Sequence, residues 1–425
     1  MGAARFAFLL LCASSVCNVA STGVDVVRYD EKVTRHYYIK AEEVNWDYAP
    51  SGRDLITNQS LADNDDAAVF TVQTSTAIGR TYKKALYFEY TDETFATRIE
   101  KPEWLGNLGP IIRAEVGDKI KVTFLNGALS NNYTIHPHGV RYDVADEGAS
   151  RYDYGGLGAS VAPGQNYTYR WGVPERAGPA EADGNAVMWL YHSHYNSVAD
   201  TYSGLTGPLV VYARGTLRNG LPADVSREYV LVTTVTDENQ SNYIDENCEA
   251  ADAQRSSQSP CAFSFSGLAV ICEETDEFTE SNLMHSINGY VYGNLAGLET
   301  AIGDRVRWLV AAFGTEVDLH TLHWHGETVV HDGHRVDTIQ LMPAISQVAY
   351  MDPDQEGTFL VHCHVNDHII AGMLARYSVA PHHAAKEVEE EGDEDARRLR
   401  RRQLRGAPNA WRSMGEAQLP AAMAV

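Results

Sequence analysis

The chain has 425 residues, with 34 lysines and arginines against 57 aspartates and glutamates, for a formal charge of -23 at pH 7. Such a surface would repel nucleic-acid phosphates, so the charge argues against that partner and fits cationic substrates or simple solubility. The length and the 44% apolar content are enough for two globular domains.

At the start of the chain, Met1-Gly2-Ala3-Ala4-Arg5 and the short apolar run from Phe6 to Ala13 predict a signal peptide over residues 1–21, with small residues around Ala20 suited to cleavage. The run is well short of a membrane span. The mature chain is therefore expected in the secretory-pathway lumen or outside the cell, without a spanning segment.

From Val26 to Arg214 short β-branched and aromatic runs, such as 119–125 and 186–191, alternate with Gly, Pro, Asn and Asp turns. Runs at 229–234, 305–310 and 358–361 continue the pattern between Ser226 and Pro381, and helical periodicity is scarce. Two tandem Greek-key β-sandwiches, an all-β chain, are the predicted fold, with domains at 26–214 and 226–381. Asn58, Asn132, Asn166 and Asn239 sit in Asn-x-Ser/Thr sequons, glycan acceptors in a eukaryotic secreted protein.

The two halves repeat. Val116-Gly117-Asp118-Lys119-Ile120-Lys121-Val122 returns 186 residues later as Ile302-Gly303-Asp304-Arg305-Val306-Arg307-Trp308. His136-Pro137-His138-Gly139 returns as His323-Trp324-His325-Gly326, and His192-Ser193-His194 as His362-Cys363-His364. Conserved order and spacing identify a tandem duplication.

These repeats contain four His-x-His pairs. Sixteen histidines scattered at random over this length would give roughly 0.6. Residues i and i+2 of a strand point to one face, so each pair offers two imidazoles to metal ions on one side of a sheet. In the second half Cys363, His368 and Met373 fall in one short loop, and two imidazoles, a thiolate and a weak thioether are what a blue-copper site requires. His320, whose spacing turns it away from His323 and His325, is the candidate for the second imidazole. His331 and His334 fall on no ligand position and read as polar loop residues.

Once the signal is removed, Cys248, Cys261, Cys272 and Cys363 remain; with Cys363 on copper, one disulfide and one free thiol among the other three is the simplest arithmetic. After Pro381 an acidic block, 387–395, and an arginine-rich block, 397–402, carry no apolar period, so 385–425 is expected to be a disordered charged tail.

Through Leu105-Gly106-Asn107-Leu108-Gly109-Pro110, His136-Pro137-His138-Gly139-Val140, Trp189-Leu190-Tyr191-His192-Ser193-His194, Ser281 to Gly289 and the Cys363 loop, the chain resembles the multicopper oxidases, in their ceruloplasmin and hephaestin branch. The resemblance implies cupredoxin-like domains and a type 1 copper on His320, Cys363, His368 and Met373. It further implies a type 2 copper on His136 and His323, and a type 3 pair on His138, His192, His194, His325, His362 and His364. Cys363 and its two histidine neighbours lie on opposite strand faces, which links the two centres covalently. The implied reaction is one-electron oxidation of a donor coupled to reduction of dioxygen to water. Two-domain relatives assemble as homotrimers with the trinuclear cluster between subunits, and the same closed assembly is expected here. Glu280, His285 and Asp367 match the positions that hold Fe(II) in ferroxidases, which makes iron the expected donor. Laccase-like oxidation of phenols is the alternative. A copper nitrite reductase would carry its blue copper in the first domain, and a copper-free interaction module would have lost ligands, so both fit the sequence less well.

Overall fold

A computed structural model of the chain describes residues 33–149, 156–258, 275–314 and 318–382. The predicted signal peptide, the charged tail after residue 382, Cys261 and Cys272 lie outside the described residues. The described residues up to Pro381 form one compact unit.

The first half contains two four-stranded sheets. One runs in the order Thr81–Tyr90, Thr34–Asp47, Lys119–Asn126, Asn166–Gly172, and the other in the order Ile112–Glu115, Thr206–Tyr212, Ala186–His192, His136–Pro137. Their inner faces follow from alternation: in Lys119–Asn126 the residues Ile120, Val122 and Phe124 are buried while Lys119, Lys121, Thr123 and Leu125 are not. These residues join Tyr87, Tyr169, Trp171 and Leu209 in one core.

The second half repeats this topology. Leu283–Ile287, Arg227–Asp237, Val306–Phe313 and Ser346–Met351 follow one another as the first sheet's strands do, including the parallel central pair. Glu299–Ala301, Leu374–Ala380, Gly357–Cys363 and His320–Trp324 repeat the second sheet, again with one parallel and two antiparallel pairings. Non-consecutive neighbours in all four sheets are the mark of Greek-key sandwiches.

Every residue of Val306–Phe313 is buried. Trp308, Val310 and Ala312 enter the second core, while Leu309, Ala311 and Phe313 meet Leu105, Met188, Leu190, Val210 and Tyr212 of the first half. A strand covered on both faces reads as a continuous apolar run, as this one does apart from Arg307. Buried Arg307 is paired with Glu228 and Asp224. The halves thus share an apolar layer that fixes their mutual geometry.

Two elements depart from the sequence expectation. His331 and His334 close a β-hairpin instead of lying in a loop: Val329–His331 and His334–Val336 pair across Asp332-Gly333, both with positive φ, a turn that matches strand twist. A helix occupies Ile244–Gln258 and buries Cys248 and Ala251 against Tyr48, Leu61, Tyr82 and Phe278. Its surface is so polar that no apolar stripe announces it. Cys248 is disulfide-bonded and Cys363 is a buried free thiol. No helix among the described residues is long and apolar enough to cross a membrane.

Candidate metal centres

His320–Trp324 and Gly357–Cys363 are antiparallel neighbours, with Leu322 opposite Cys363 and His323 opposite His362. Strand alternation sends His320 and Cys363 into the sandwich and His323, His325, His362 and His364 to its other side.

On the inner side Cys363 Sγ lies 3.5 Å from His368 Nδ1 and 3.9 Å from His320 Nδ1. The Thr321 amide donates to the same sulfur over 3.5 Å. The loop that returns from this point is clasped by its backbone: Cys363 N–H donates to Met373 O at 3.0 Å, and Met373 N–H to His368 O at 2.9 Å. Met373 is fully buried and shares the second core with Cys363. Three donor atoms within 4.8 Å of one another, two imidazole and one thiolate, are spaced as ligands around a single ion and are of the type blue copper uses. Burial raises the Cys363 thiol and lowers both histidines, so the pocket holds neutral donors until a cation pairs with the thiolate.

The equivalent position in the first half is plugged. Ser193 replaces the cysteine, accepts from the Thr134 amide at 3.0 Å and donates to buried Asp200 at 2.6 Å. Tyr133 stands where the repeat puts His320, and its hydroxyl bonds Tyr243.

The other eight paired histidines form two quartets. In the first, His136 lies opposite His192 across the strands, and the rings of His136, His138, His192 and His194 lie 5.0 to 5.6 Å apart in successive contacts. His138 Nε2 and His192 Nε2 approach to 3.2 Å. In the second, His362 Nε2 is 3.0 Å from His325 Nε2 and 3.3 Å from His323 Nδ1, and the His364 ring lies 5.5 Å from both His362 and His323. Backbone carbonyls orient the rings: Glu147 O holds His136 Nδ1, Ser193 O holds His192 Nδ1 and Cys363 O holds His362 Nδ1, leaving each Nε2 for a metal. The turn after each His-x-His-Gly needs positive φ, +77° at Gly139 and +75° at Gly326, and a Cβ on Gly139 would run into the Trp189 ring. Among the described residues no ring contact joins one quartet to the other.

Burial keeps four of the histidines neutral. It holds His136 and His285 at about 4, and His192 and His320 at about 3, against an ordinary 6.5. The unfolded chain therefore takes up protons as pH falls below 6.5 while the folded chain does not. The metal-free protein is expected to lose stability steadily from pH 6.5 toward 4, and His285→Phe to flatten that slope by one proton, about 1.4 kcal/mol per pH unit. Urea unfolding of the metal-free protein across this range is the measurement, and a flat profile would refute neutral burial.

Of the predicted iron residues, His285 and Asp367 border the inner site. The His285 ring stacks 5.2 Å from His368 and 5.6 Å from Phe70, and its Nδ1 donates to Leu283 O. Exposed Asp367 precedes His368 at the start of the helix Asn366–Ile370 and acts electrostatically on both imidazoles. Glu280 is exposed near the end of the helix Asp276–Ser281. Asp318 was not foreseen: it is buried, and its charge also favours the protonated form of His368. Its place two residues before His320 was the available signal.

Models described as multicopper oxidase match residues 105–216 and 272–383, together more than half of the chain. Ferroxidase HEPHL1 of Mus musculus is 41% identical over 363 residues, covering 82% of this chain and 30% of that protein. Hephaestin of Rattus norvegicus is 39% identical, covering 89% and 31%, and ceruloplasmin of Homo sapiens 40% identical, covering 85% and 34%. The chain spans about a third of the length of these relatives. Among solved structures, a copper nitrite reductase from Nitrosomonas europaea has the same fold, with a TM-score of 0.51 and 16% identity over 82% of this chain and 94% of that one. Duplicated sandwiches, matched family models and relatives near 40% identity agree: the chain belongs to the multicopper oxidase family, in its ceruloplasmin and hephaestin branch.

Proposed function

We propose that the chain is a secreted oxidase that couples one-electron oxidation of Fe(II) to the reduction of dioxygen to water. His320, Cys363, His368 and Met373 would hold a type 1 copper, His136 and His323 a type 2 copper, and His138, His192, His194, His325, His362 and His364 a type 3 pair. When bound, copper supplies one-electron redox chemistry at the first site and four-electron chemistry toward oxygen at the other. Cys363 sits between them, its side chain at one centre and its backbone neighbours His362 and His364 at the other.

The reading divides the chain into domains at 26–214 and 226–381. Because each holds only one quartet, the cluster is assigned to an interface between copies, in a closed homotrimer. That no ring contact among the described residues joins the two quartets within one chain supports this.

The observation that carries iron as donor is the ring contact between His285 and His368, 5.2 Å between centroids, with Asp367 next to it. Oxygen and nitrogen donors are what Fe(II) prefers, and this set places the cation against a type 1 ligand. Exposed Leu319, next to His320, and exposed Ile370, two residues after His368, support the second reading, oxidation of apolar phenols.

Oxygen consumption by the copper-loaded protein separates the two. With Glu280→Ala and Asp367→Ala the KM for Fe(II) is expected to rise roughly tenfold or more, the equivalent of about 1.4 kcal/mol, while phenol kinetics stay unchanged. Preference for phenol in the parent protein, or silence of both substitutions, would assign the chain to the phenol oxidases.

A further inference from the structure

The first sandwich carries a basic cleft that the oxidase chemistry does not use. His36, Lys121 and Arg170 stand directly opposite one another on three adjacent strands, and Lys119 lies two residues from Lys121 on the same face. Like charges set opposite one another across a sheet destabilise it. Among the described residues, Arg141 and Tyr142 complete a cleft of about 350 Å³ lined by Lys119, Lys121, Arg141 and Arg170 together with Asp143, and Asp146 lies within electrostatic reach of Arg170. This is a local reversal of sign on a chain of net charge -23.

The cleft adjoins the first quartet. Arg141 and Tyr142 also line the hollow of about 700 Å³ onto which His136 and His138 open, and the Tyr142 ring lies 5.8 Å from that of His136. Around the second quartet the sign is opposite. Exposed Asp337 precedes Thr338, which stands opposite His323 on the neighbouring strand, while Glu327, two residues after His325, accepts from the amide of exposed Asp354.

We propose that the basic cleft is the docking surface for a second copy of this chain, and that its partner there is the acidic rim, Glu327, Asp337 and Asp354, of the second quartet. Complementary charge then places two unlike quartets face to face. The joined surfaces differ, so the contact is heterologous: each copy offers one cleft and one rim, and repetition closes a ring. The inference rests on the shared-cluster reading above and adds which surfaces meet and why.

The experiment is sedimentation of the copper-loaded full chain at low and at molar salt. Its variants are Lys121→Glu with Arg170→Glu, Glu327→Lys with Asp337→Lys, and all four together. The parent protein is expected to sediment as a multiple of the chain mass at low salt and to dissociate as salt rises. Either reversal alone weakens association roughly a hundredfold or more, since like charges then meet, and the four-fold variant restores it. The blue absorption of the Cys363 site stays unchanged throughout and reports an intact fold. Assembly that ignores salt and survives both reversals would overturn this docking surface and leave the shared cluster standing. A parent protein that is a single chain at low salt would overturn both.

Discussion

Cys363→Ser is expected to abolish the blue absorption of the protein and to lower oxygen consumption by more than about 100-fold with any donor, while leaving the fold and the metal content of the quartets intact. Substitutions outside the ligand shell cost about 10- to 100-fold at metal sites, so removing the thiolate itself costs more. The first half of the molecule shows why the fold should survive. Its strand carries Ser193 at the same place, bonded by the Thr134 amide just as the Thr321 amide meets Cys363. What differs is the acid. Ser193 donates its hydroxyl hydrogen bond to Asp200, which also accepts from Asn196 N and Asn242 Nδ2. At position 363 a serine would face His320 Nδ1 and His368 Nδ1 and would donate to one of them, at a cost within about 1–3 kcal/mol. Visible absorption, copper content and oxygen uptake on one preparation decide the matter. Uptake above a tenth of the parent value would show that electrons enter by another route.

The duplication explains how much of this site was legible beforehand. A repeat aligned by Gly-Asp and His-x-His fixes which positions are equivalent, and strand alternation then assigns each side chain to a face; hence the four pairs and the turning of His320 away from His323 and His325 follow from spacing, while the division into copper types came from the resemblance. The strand bounds 119–126, 186–192 and 357–363 lie within one or two residues of the expected runs. Illegible features were those in which distant residues meet. The contact of His285 with His368 spans 83 positions and follows no periodicity, so the resemblance alone pointed to it. The helix Ile244–Gln258 lacks an apolar stripe because it covers the core with only Cys248, Ala251 and a few neighbours. The plug of Ser193 by Asp200 needs the turn into the helix Ser197–Tyr202, which local propensity does not dictate.

The second large effect concerns the layer between the halves and is one of stability. Lys84 and Glu238 are both fully buried, and Lys84 Nζ donates to Glu238 Oε1 and, over 2.7 Å, to Tyr202 O. Tyr48 donates to the same carboxylate oxygen at 2.6 Å. Lys84 belongs to the strand Thr81–Tyr90 of the first half, while Glu238 follows the strand Arg227–Asp237 of the second. Removal from water pushes the Lys84 ammonium down and the Glu238 carboxyl up, each opposed by its partner's charge. Oε2 of Glu238 has no hydrogen-bond partner among the described residues, so the carboxylate depends on few contacts. Lys84→Met leaves that anion with Tyr48 alone and is expected to destabilise the protein by about 3–5 kcal/mol. Adding Glu238→Gln removes the charge while keeping an acceptor for Tyr48, and the double variant is expected to recover most of the loss, because an ion pair replaced by neutral groups of similar volume is nearly neutral in free energy. Urea unfolding of the parent, the single and the double variants tests both statements. A single variant within about 1 kcal/mol of the parent would mean that water reaches the pair and screens it.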